Sequence, residues 1–204
     1  MASFDGFQCI SALSTKDQKL FTRFASGAPA VVPHVIVHEA FECQVDERPT
    51  LIAAQYDGKT ITYGDLDVQA NRLANYLIES GLRPKQRVCL VVKRSFEMLA
   101  GALAILKAGC QYVPLDGGVV SQEALHHTLR DTDADFVLAL PEFKSKIERC
   151  ARQDVHIVCL GTNQDVAAAS HRPAVPISAT DGAYAIYTSG EIKCKNPRFE
   201  TNPT

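Results

Sequence analysis

Thr188, Ser189 and Gly190 are the residues of this sequence whose types and spacing best suit ligand chemistry. They directly follow an apolar run, Ala183–Tyr187, that is typical of a buried strand. Two hydroxyl groups beside a glycine, which lets backbone N–H groups approach an anion closely, would suit a phosphate cradle. An ordinary polar turn has the same composition, and on local chemistry alone it is the simpler interpretation.

Other patterns that carry chemistry do not form complete sites in the sequence. It contains no G-x-x-x-x-G-K-[ST], G-x-G-x-x-G or G-x-S-x-G motif, which disfavours kinases, NAD-dependent enzymes and serine hydrolases. His34 and His38 are spaced to share one helix face as metal ligands, but no third ligand has a fitting spacing. We therefore predict surface or capping positions for both. Cysteines such as Cys89 and Cys159 lie in apolar runs without a C-x-x-C pair, so we interpret most of them as structural.

The composition is that of an ordinary globular protein and excludes several partners. Of 204 residues, 46% are apolar and 22% are charged, and the net charge is -2. No window combines basic and aromatic residues, which disfavours nucleic-acid binding. No run approaches the roughly 20 apolar residues of a membrane span, and the first residues lack a signal-peptide pattern. We expect a cytoplasmic protein with no membrane partner.

The elements that must position the Thr188–Gly190 segment follow an alternating order. Leu66, Ala70, Leu73 and Leu77 share one face of a helix predicted from Tyr63 to Ser80, with Thr62 and Asp65 as a capping pair and Gly81 as a stop. Further predicted helices span 96–108, 121–131 and 142–152, and predicted strands span 88–92, 112–115, 136–140, 155–160 and 183–187.

Alternating strands and helices with short connections predict an α/β fold. We expect a partial doubly wound, mostly parallel sheet with helices on both faces. We assign residues 1–33 to a linker, residues 34–190 to the folded domain and residues 191–204 to a divergent, disordered tail that lacks a periodic apolar pattern. Ligands of such sheets bind beyond the carboxyl ends of the strands, where Thr188 would lie.

Four segments together resemble the first core motifs of adenylate-forming enzymes. These segments are Thr60–Leu66, Asn71–Ala74, Leu106–Asp116 and Tyr184–Gly190. The sequence is similar in particular to adenylation domains of fungal nonribosomal peptide synthetases. The string from Lys107 to Asp116 is the most specific of these matches, and residues 15–48 resemble the linker that precedes such domains.

The resemblance implies a function that requires ATP and magnesium. A complete domain of this family activates an amino acid as an aminoacyl-adenylate, releases pyrophosphate and loads the amino acid onto a carrier domain. By position, Thr188, Ser189 and Gly190 would open the loop that binds the ATP phosphates. Carrier and condensation domains would be the partners in the parent protein.

The sequence also departs from the family after Gly190. Glu191 adds a negative charge to the loop, which at ~4 Å opposes anion binding by ~4 kcal/mol at an effective dielectric near 20. The catalytic lysine, the substrate pocket, the magnesium ligand and the carrier motif of the family have no counterpart here. We therefore expect a truncated adenylation domain that is inactive alone and binds neither ATP nor magnesium. The alternative is a non-catalytic scaffold that binds synthetase or carrier-protein partners, whereas a small functional ligase is disfavoured.

A smaller departure follows Asp116. The family often has proline where this sequence has Gly117 and Gly118. We expect the following loop to differ in shape.

Overall fold

The computed structural model of the protein describes residues 13–25, 27, 33–162, 168–187 and 198–201. The chain divides into two compact units, residues 1–33 and residues 34–204. The first unit contains helix α1 (Thr15–Phe24), whose N-terminus is capped by Ser14 accepting a hydrogen bond from the Asp17 backbone N–H at 3.2 Å. We predicted no helix there, although this cap and the helical spacing of Leu20, Phe21 and Phe24 were available as signals.

The second unit alternates helices with strands along the chain. Its elements, in order, are α2 (Val37–Glu47), β1 (Ile52–Tyr56), β2 (Lys59–Thr62), α3 (Tyr63–Glu79), β3 (Arg87–Val92), α4 (Phe96–Lys107), β4 (Gln111–Asp116), α5 (Gln122–Asp131), β5 (Phe136–Ala139), a 3₁₀ turn (Pro141–Phe143), α6 (Lys144–Glu148), β6 (His156–Cys159), β7 (Gly182–Ile186) and β8 (Arg198–Thr201).

Six of these strands form one sheet in the order β6-β5-β3-β4-β7-β8. The strands from β6 to β7 are parallel, and β8 runs antiparallel to β7. The predicted α/β class with a mostly parallel sheet is confirmed. β8 lies in the tail that we expected to lack regular structure. An antiparallel neighbour needs no crossover helix, so the missing helical pattern did not exclude a strand.

Alternate residues of the central strand β3 face two separate apolar cores. Val88, Leu90 and Val92 pack with residues of α3 and α4, whereas Cys89 and Val91 pack with residues of α5 and α6. A strand that is buried on both faces requires a continuous apolar run, which explains the absence of alternation over 88–92. Helices therefore cover both faces of the sheet.

Helix α3 forms as the spacing of its apolar residues predicts. Thr62 Oγ1 accepts a hydrogen bond from the Asp65 backbone N–H at 3.1 Å, and the four predicted face residues, Leu66, Ala70, Leu73 and Leu77, are buried. Ser95 and Ser121 cap α4 and α5 in the same way, as predicted for Ser95. No helix in the described part of the chain is long and apolar enough to cross a membrane.

The structure differs from the predicted elements in two other places. The hairpin of β1 and β2 turns at Asp57 and Gly58, both of which have positive φ angles, 49° and 72°. An Asp-Gly pair is a recognised signal for such a turn, but we did not predict it.

The helix predicted over 142–152 is limited to α6 and the preceding 3₁₀ turn, because Ile147 is the only buried residue of α6 and anchors little more than one turn.

Candidate functional site

The carboxyl edge of the parallel sheet is the candidate site because the chain changes its winding direction there. β3 is followed in sequence by its neighbour β4 on one side, whereas β5 is followed by its neighbour β6 on the other side. The crevice between the carboxyl ends of β3 and β5 is therefore a topological switch point. Open parallel sheets generally bind their ligands at such points.

An ion pair bridges this switch point. Lys93, just after β3, lies with its Nζ 2.7 Å from Oε1 of Glu142, which follows β5. The hydrogen bond to Glu142 raises the pKa of Lys93. Both side chains are about half exposed, so the pair contributes little to stability. The positive charge of Lys93 is already matched by a carboxylate.

The loop after β4 is held in place by contacts with the 3₁₀ turn and α6. A side chain at Gly117 would place its Cβ only 2.4 Å from Cδ2 of Phe143, so the ring of Phe143 fits because residue 117 is glycine. Asp116 Oδ1 accepts a hydrogen bond from the Gly118 backbone N–H at 2.9 Å. Lys146 Nζ donates to the carbonyl oxygen of Gly117 at 3.0 Å. These contacts give a physical role to the two glycines at which the sequence departs from the family pattern.

The chain reaches the predicted phosphate-binding residues through Tyr187. The Tyr187 hydroxyl donates a hydrogen bond to Oδ2 of Asp131 at 2.6 Å, and the ring of His127 lies edge-on to the Tyr187 ring. Burial, together with the hydrogen bond to Asp131, raises the pKa of Tyr187. Thr188, Ser189 and Gly190 themselves lie outside the described residues. Their predicted role in phosphate binding remains a prediction.

The described residues at this edge do not by themselves form a site for ATP and magnesium. Lys93 is paired with Glu142, and the ammonium group of Lys146 is directed to backbone carbonyl groups. Among the described residues, no group of three or more His, Cys, Asp and Glu side chains is placed to hold a metal ion.

Among the described residues, His38, Cys89 and Cys110 lie in buried environments. His38 is buried in α2, and not on the surface or at a helix cap as we expected. Burial lowers its pKa, although the charge of Glu42 acts in the opposite direction. Burial raises the pKa of Cys89 to about 11 and that of Cys110 to about 12, so neither thiol is activated as a nucleophile.

A buried ionic cluster that we did not predict from the sequence lies on the α3 and α4 face of the sheet. Its centre is Lys107, the first residue of the most specific family string, whose side chain is 1% exposed. Lys107 forms ion pairs with Glu42 from α2 and with Asp67 from α3, the latter at 2.9 Å. Within the described part of the chain, the ion pair with Lys107 is the only polar contact that the structure gives Asp67 Oδ1. The lysine thereby joins three helices.

The segment that leads into β7 is attached to the same cluster. Arg172 forms a bidentate pair with Asp46, at 3.0 Å and 2.7 Å, and lowers the pKa of that carboxyl group. Asn71 and Asn75 of α3 donate hydrogen bonds to backbone carbonyl groups of residues 169–171 at distances between 2.7 and 3.1 Å. The segment before the final parallel strand is thus fixed by polar contacts with α2 and α3.

Comparisons with known proteins agree with this fold. The model of the family described as AMP-binding enzyme matches residues 41–190, which is more than half of the chain. Adenylate-forming reductase 06235 of Coprinopsis cinerea is 37% identical over 91% of the chain, which covers 18% of the reductase. Malpinin synthetase of Mortierella alpina is 39% identical over 76% of the chain, which covers 2% of that synthetase. The chain therefore spans a small part of the length of these relatives.

A solved structure shows the same architecture in a nonribosomal peptide synthetase. The AMPPNP-bound form of the synthetase FmoA3 superimposes with a TM-score of 0.76 and 27% identity, over 86% of this chain and 18% of that protein. The chain thus belongs to the AMP-binding enzyme family and is related to the adenylation domains of nonribosomal peptide synthetases.

Proposed function

We propose that this chain is the N-terminal part of an adenylation unit. The complete unit would activate an amino acid with ATP as an aminoacyl-adenylate and transfer it to a carrier domain, in the cytoplasm and as a step of secondary-metabolite synthesis. The observation that carries the proposal is the family match over residues 41–190, which contains the sheet from β3 to β7.

The chain alone would not catalyse this reaction. It covers 18% of a matching reductase and 2% of a matching synthetase, so most of each relative has no counterpart in it. The described residues at the carboxyl edge offer Lys93 as a cation, but Glu142 already neutralises it. Electrostatic stabilisation of the transferring phosphoryl group requires positively charged or donor groups that are free to meet it.

Amino-acid-dependent exchange of pyrophosphate into ATP tests this function. We expect the purified 204-residue chain to give no exchange above a boiled control. A chimera in which residues 34–190 replace the matching segment of the malpinin synthetase adenylation domain should restore exchange. Exchange by the chain alone would instead support a small functional ligase, and a folded but inactive chimera would contradict the assignment to an adenylation unit.

A second chimera tests the phosphate-binding residues. It extends the replaced segment beyond Gly190 to residue 197 and so carries Glu191 into the loop. We expect it to lose exchange activity because the carboxylate repels the phosphates, and Glu191→Gln should recover part of the loss. Changing Ser189 to alanine in the active chimera should raise the KM for ATP. An unchanged KM would remove Ser189 from the proposed site.

A further inference from the structure

A groove of about 760 Å³ lies between the strand β2 and the helix α3. One wall is formed by the end of the β-hairpin, the other wall by the first half of α3, and Phe96 at the start of α4 also lines it. The lining residues are Gly58, Lys59, Thr60, Ile61, Asp65, Val68, Gln69, Arg72 and Phe96. A strand beside a helix is a geometry in which an extended peptide can bind.

The strand wall of the groove has an open backbone edge. Within the described residues, β2 pairs with β1 alone, and the two strands form a separate two-stranded sheet. The turn contains two residues, and Lys59 is paired with Tyr56 across it. In such hairpins the pair beside the turn exchanges both backbone hydrogen bonds, so the N–H and C=O groups of the next residue, Thr60, face away from β1. Unpaired strand groups of this kind accept an additional strand.

The helix wall carries a positive charge that has no partner among the described residues. Nε of Arg72 is buried and forms no hydrogen bond within the described part of the chain. Neither Arg72 nor Lys59 takes part in an ion pair among the described residues. The acid of the groove, Asp65, is engaged with the Thr62 hydroxyl, which donates to it at 2.7 Å. A ligand carboxylate could pair with the guanidinium group of Arg72, which lines the groove and has no acidic partner among the described residues.

The groove also presents apolar surface between its charged groups. Val68 on α3 is 39% exposed, and Phe96 is partly buried beside the buried Ile61. Successive side chains of an added strand point to opposite faces. Those on the side of α3 would lie against both Val68 and Arg72, which are four residues apart on one face of the helix, so an acidic residue there could pair with Arg72.

We propose that this groove binds an extended acidic peptide segment of a partner protein. The segment adds to β2 as a third strand and places a carboxylate on the guanidinium group of Arg72. This interaction is independent of the adenylation reaction and needs none of the residues at the carboxyl edge of the sheet.

Binding of a defined peptide to the full 204-residue chain tests the proposal. The probe is a fluorescein-labelled octapeptide that alternates valine with glutamate, and the readout is fluorescence anisotropy. We expect saturable binding, which a peptide with lysine in place of glutamate does not reproduce. Methylation of alternate backbone nitrogens should also abolish binding, because it removes the donors that pair with the open edge.

Charge variants distinguish specific peptide binding in the groove from a general electrostatic attraction between the peptide and the chain. Arg72→Gln should weaken peptide binding about tenfold, since it removes a charge-assisted hydrogen bond. The control is Arg149→Gln, which removes the same charge from an exposed position and should leave peptide binding unchanged. Circular dichroism checks that the variants are folded. In the unsubstituted chain, the nitrogen-15 resonance of Arg72 Nε should shift on peptide addition.

Several results would overturn the proposal. Among these are no binding by the unsubstituted chain at millimolar peptide, equal effects of Arg72→Gln and Arg149→Gln, and unchanged binding of the methylated peptide. A lysine on an edge strand can also discourage strand pairing. Tighter binding by Lys59→Gln would show that Lys59 has this protective role, and it would contradict the assignment of the edge as a docking surface.

Discussion

The positively charged side chain of Lys107 is almost completely buried, with only 1% of it exposed. Removing an ammonium group from water costs several kcal/mol even after the protein relaxes. Glu42 and Asp67 compensate this cost, and they come from two different helices. The charge is therefore satisfied only when α2, α3 and α4 are packed together.

Replacing Lys107 with methionine should destabilise the chain by about 3–5 kcal/mol, because two carboxylates then lose their shared buried partner. Urea unfolding followed by circular dichroism measures the change. The matched control is Lys93→Met, which removes a half-exposed ion pair and should cost at most about 1 kcal/mol. Equal losses in both variants would show that burial does not govern the strength of these pairs.

His38 should make the stability of the chain depend on pH. Burial lowers its pKa in the folded state below the ordinary value of 6.5, while Glu42 and Glu39 oppose and Lys107 reinforces this shift. As the pH falls below about 6.5, the unfolded chain binds a proton before the folded chain does, so the free energy of unfolding decreases. The contribution of His38 to this decrease ends once His38 is also protonated in the folded chain.

Urea unfolding at pH 7.5 and pH 5.5, values about one unit either side of the ordinary pKa, measures this dependence. We expect His38→Gln to reduce the stability difference between the two conditions. His126→Gln, at an exposed position of α5, should leave it unchanged. An equal pH dependence in the chain and in the His38 variant would assign the effect to other groups.

At the scale of elements, the sequence predicts what local patterns determine. The cap of α3, its apolar face and the buried run of β3 are encoded within a few neighbouring residues, and all were predicted. The ion pair of Arg172 with Asp46 joins residues 126 positions apart, and no local pattern reveals such a contact. The predicted surface or capping position of His38 was wrong for the same reason, since its burial depends on helices that follow it in the chain.

Packing around the 3₁₀ turn makes a residue-specific prediction for the loop after β4. Gly117→Ala should destabilise the chain by about 1–3 kcal/mol, because the new Cβ would lie 2.4 Å from the Phe143 ring. Gly118→Ala is the matched control, since its nearest contact, Asp116 Oδ1, is 3.4 Å away. Thermal unfolding compares the two variants. A loss in Gly118→Ala that equals the loss in Gly117→Ala would show that the effect arises from the backbone and not from the ring.

At the scale of the whole molecule, the hairpin is one of the described regions where large apolar side chains are exposed to solvent. Leu51, Ile52 and Tyr56 are 53%, 60% and 47% exposed and lie on or beside β1. An apolar edge strand is a template for association with another chain. The charged and polar edge of β2, in contrast, favours a polar ligand.

We expect the chain to associate with itself at high concentration through β1. Ile52→Lys should reduce this association, because a charge on an edge strand opposes pairing. Sedimentation velocity over a range of concentrations measures it. Val119→Lys, at a loop residue that is 82% exposed, is the control. A similar reduction by both substitutions would point to net charge and not to the strand edge.

The ionic cluster around Lys107 also decides where related proteins can exchange segments. Recombination with a junction between residues 42 and 107 would bring together a lysine and acids that did not evolve as partners. A junction before residue 37, at the start of α2, keeps the lysine and both acids in one inherited piece. Successful natural or engineered crossovers in this region should therefore fall ahead of α2, even though the recognisable family motifs begin later in the chain.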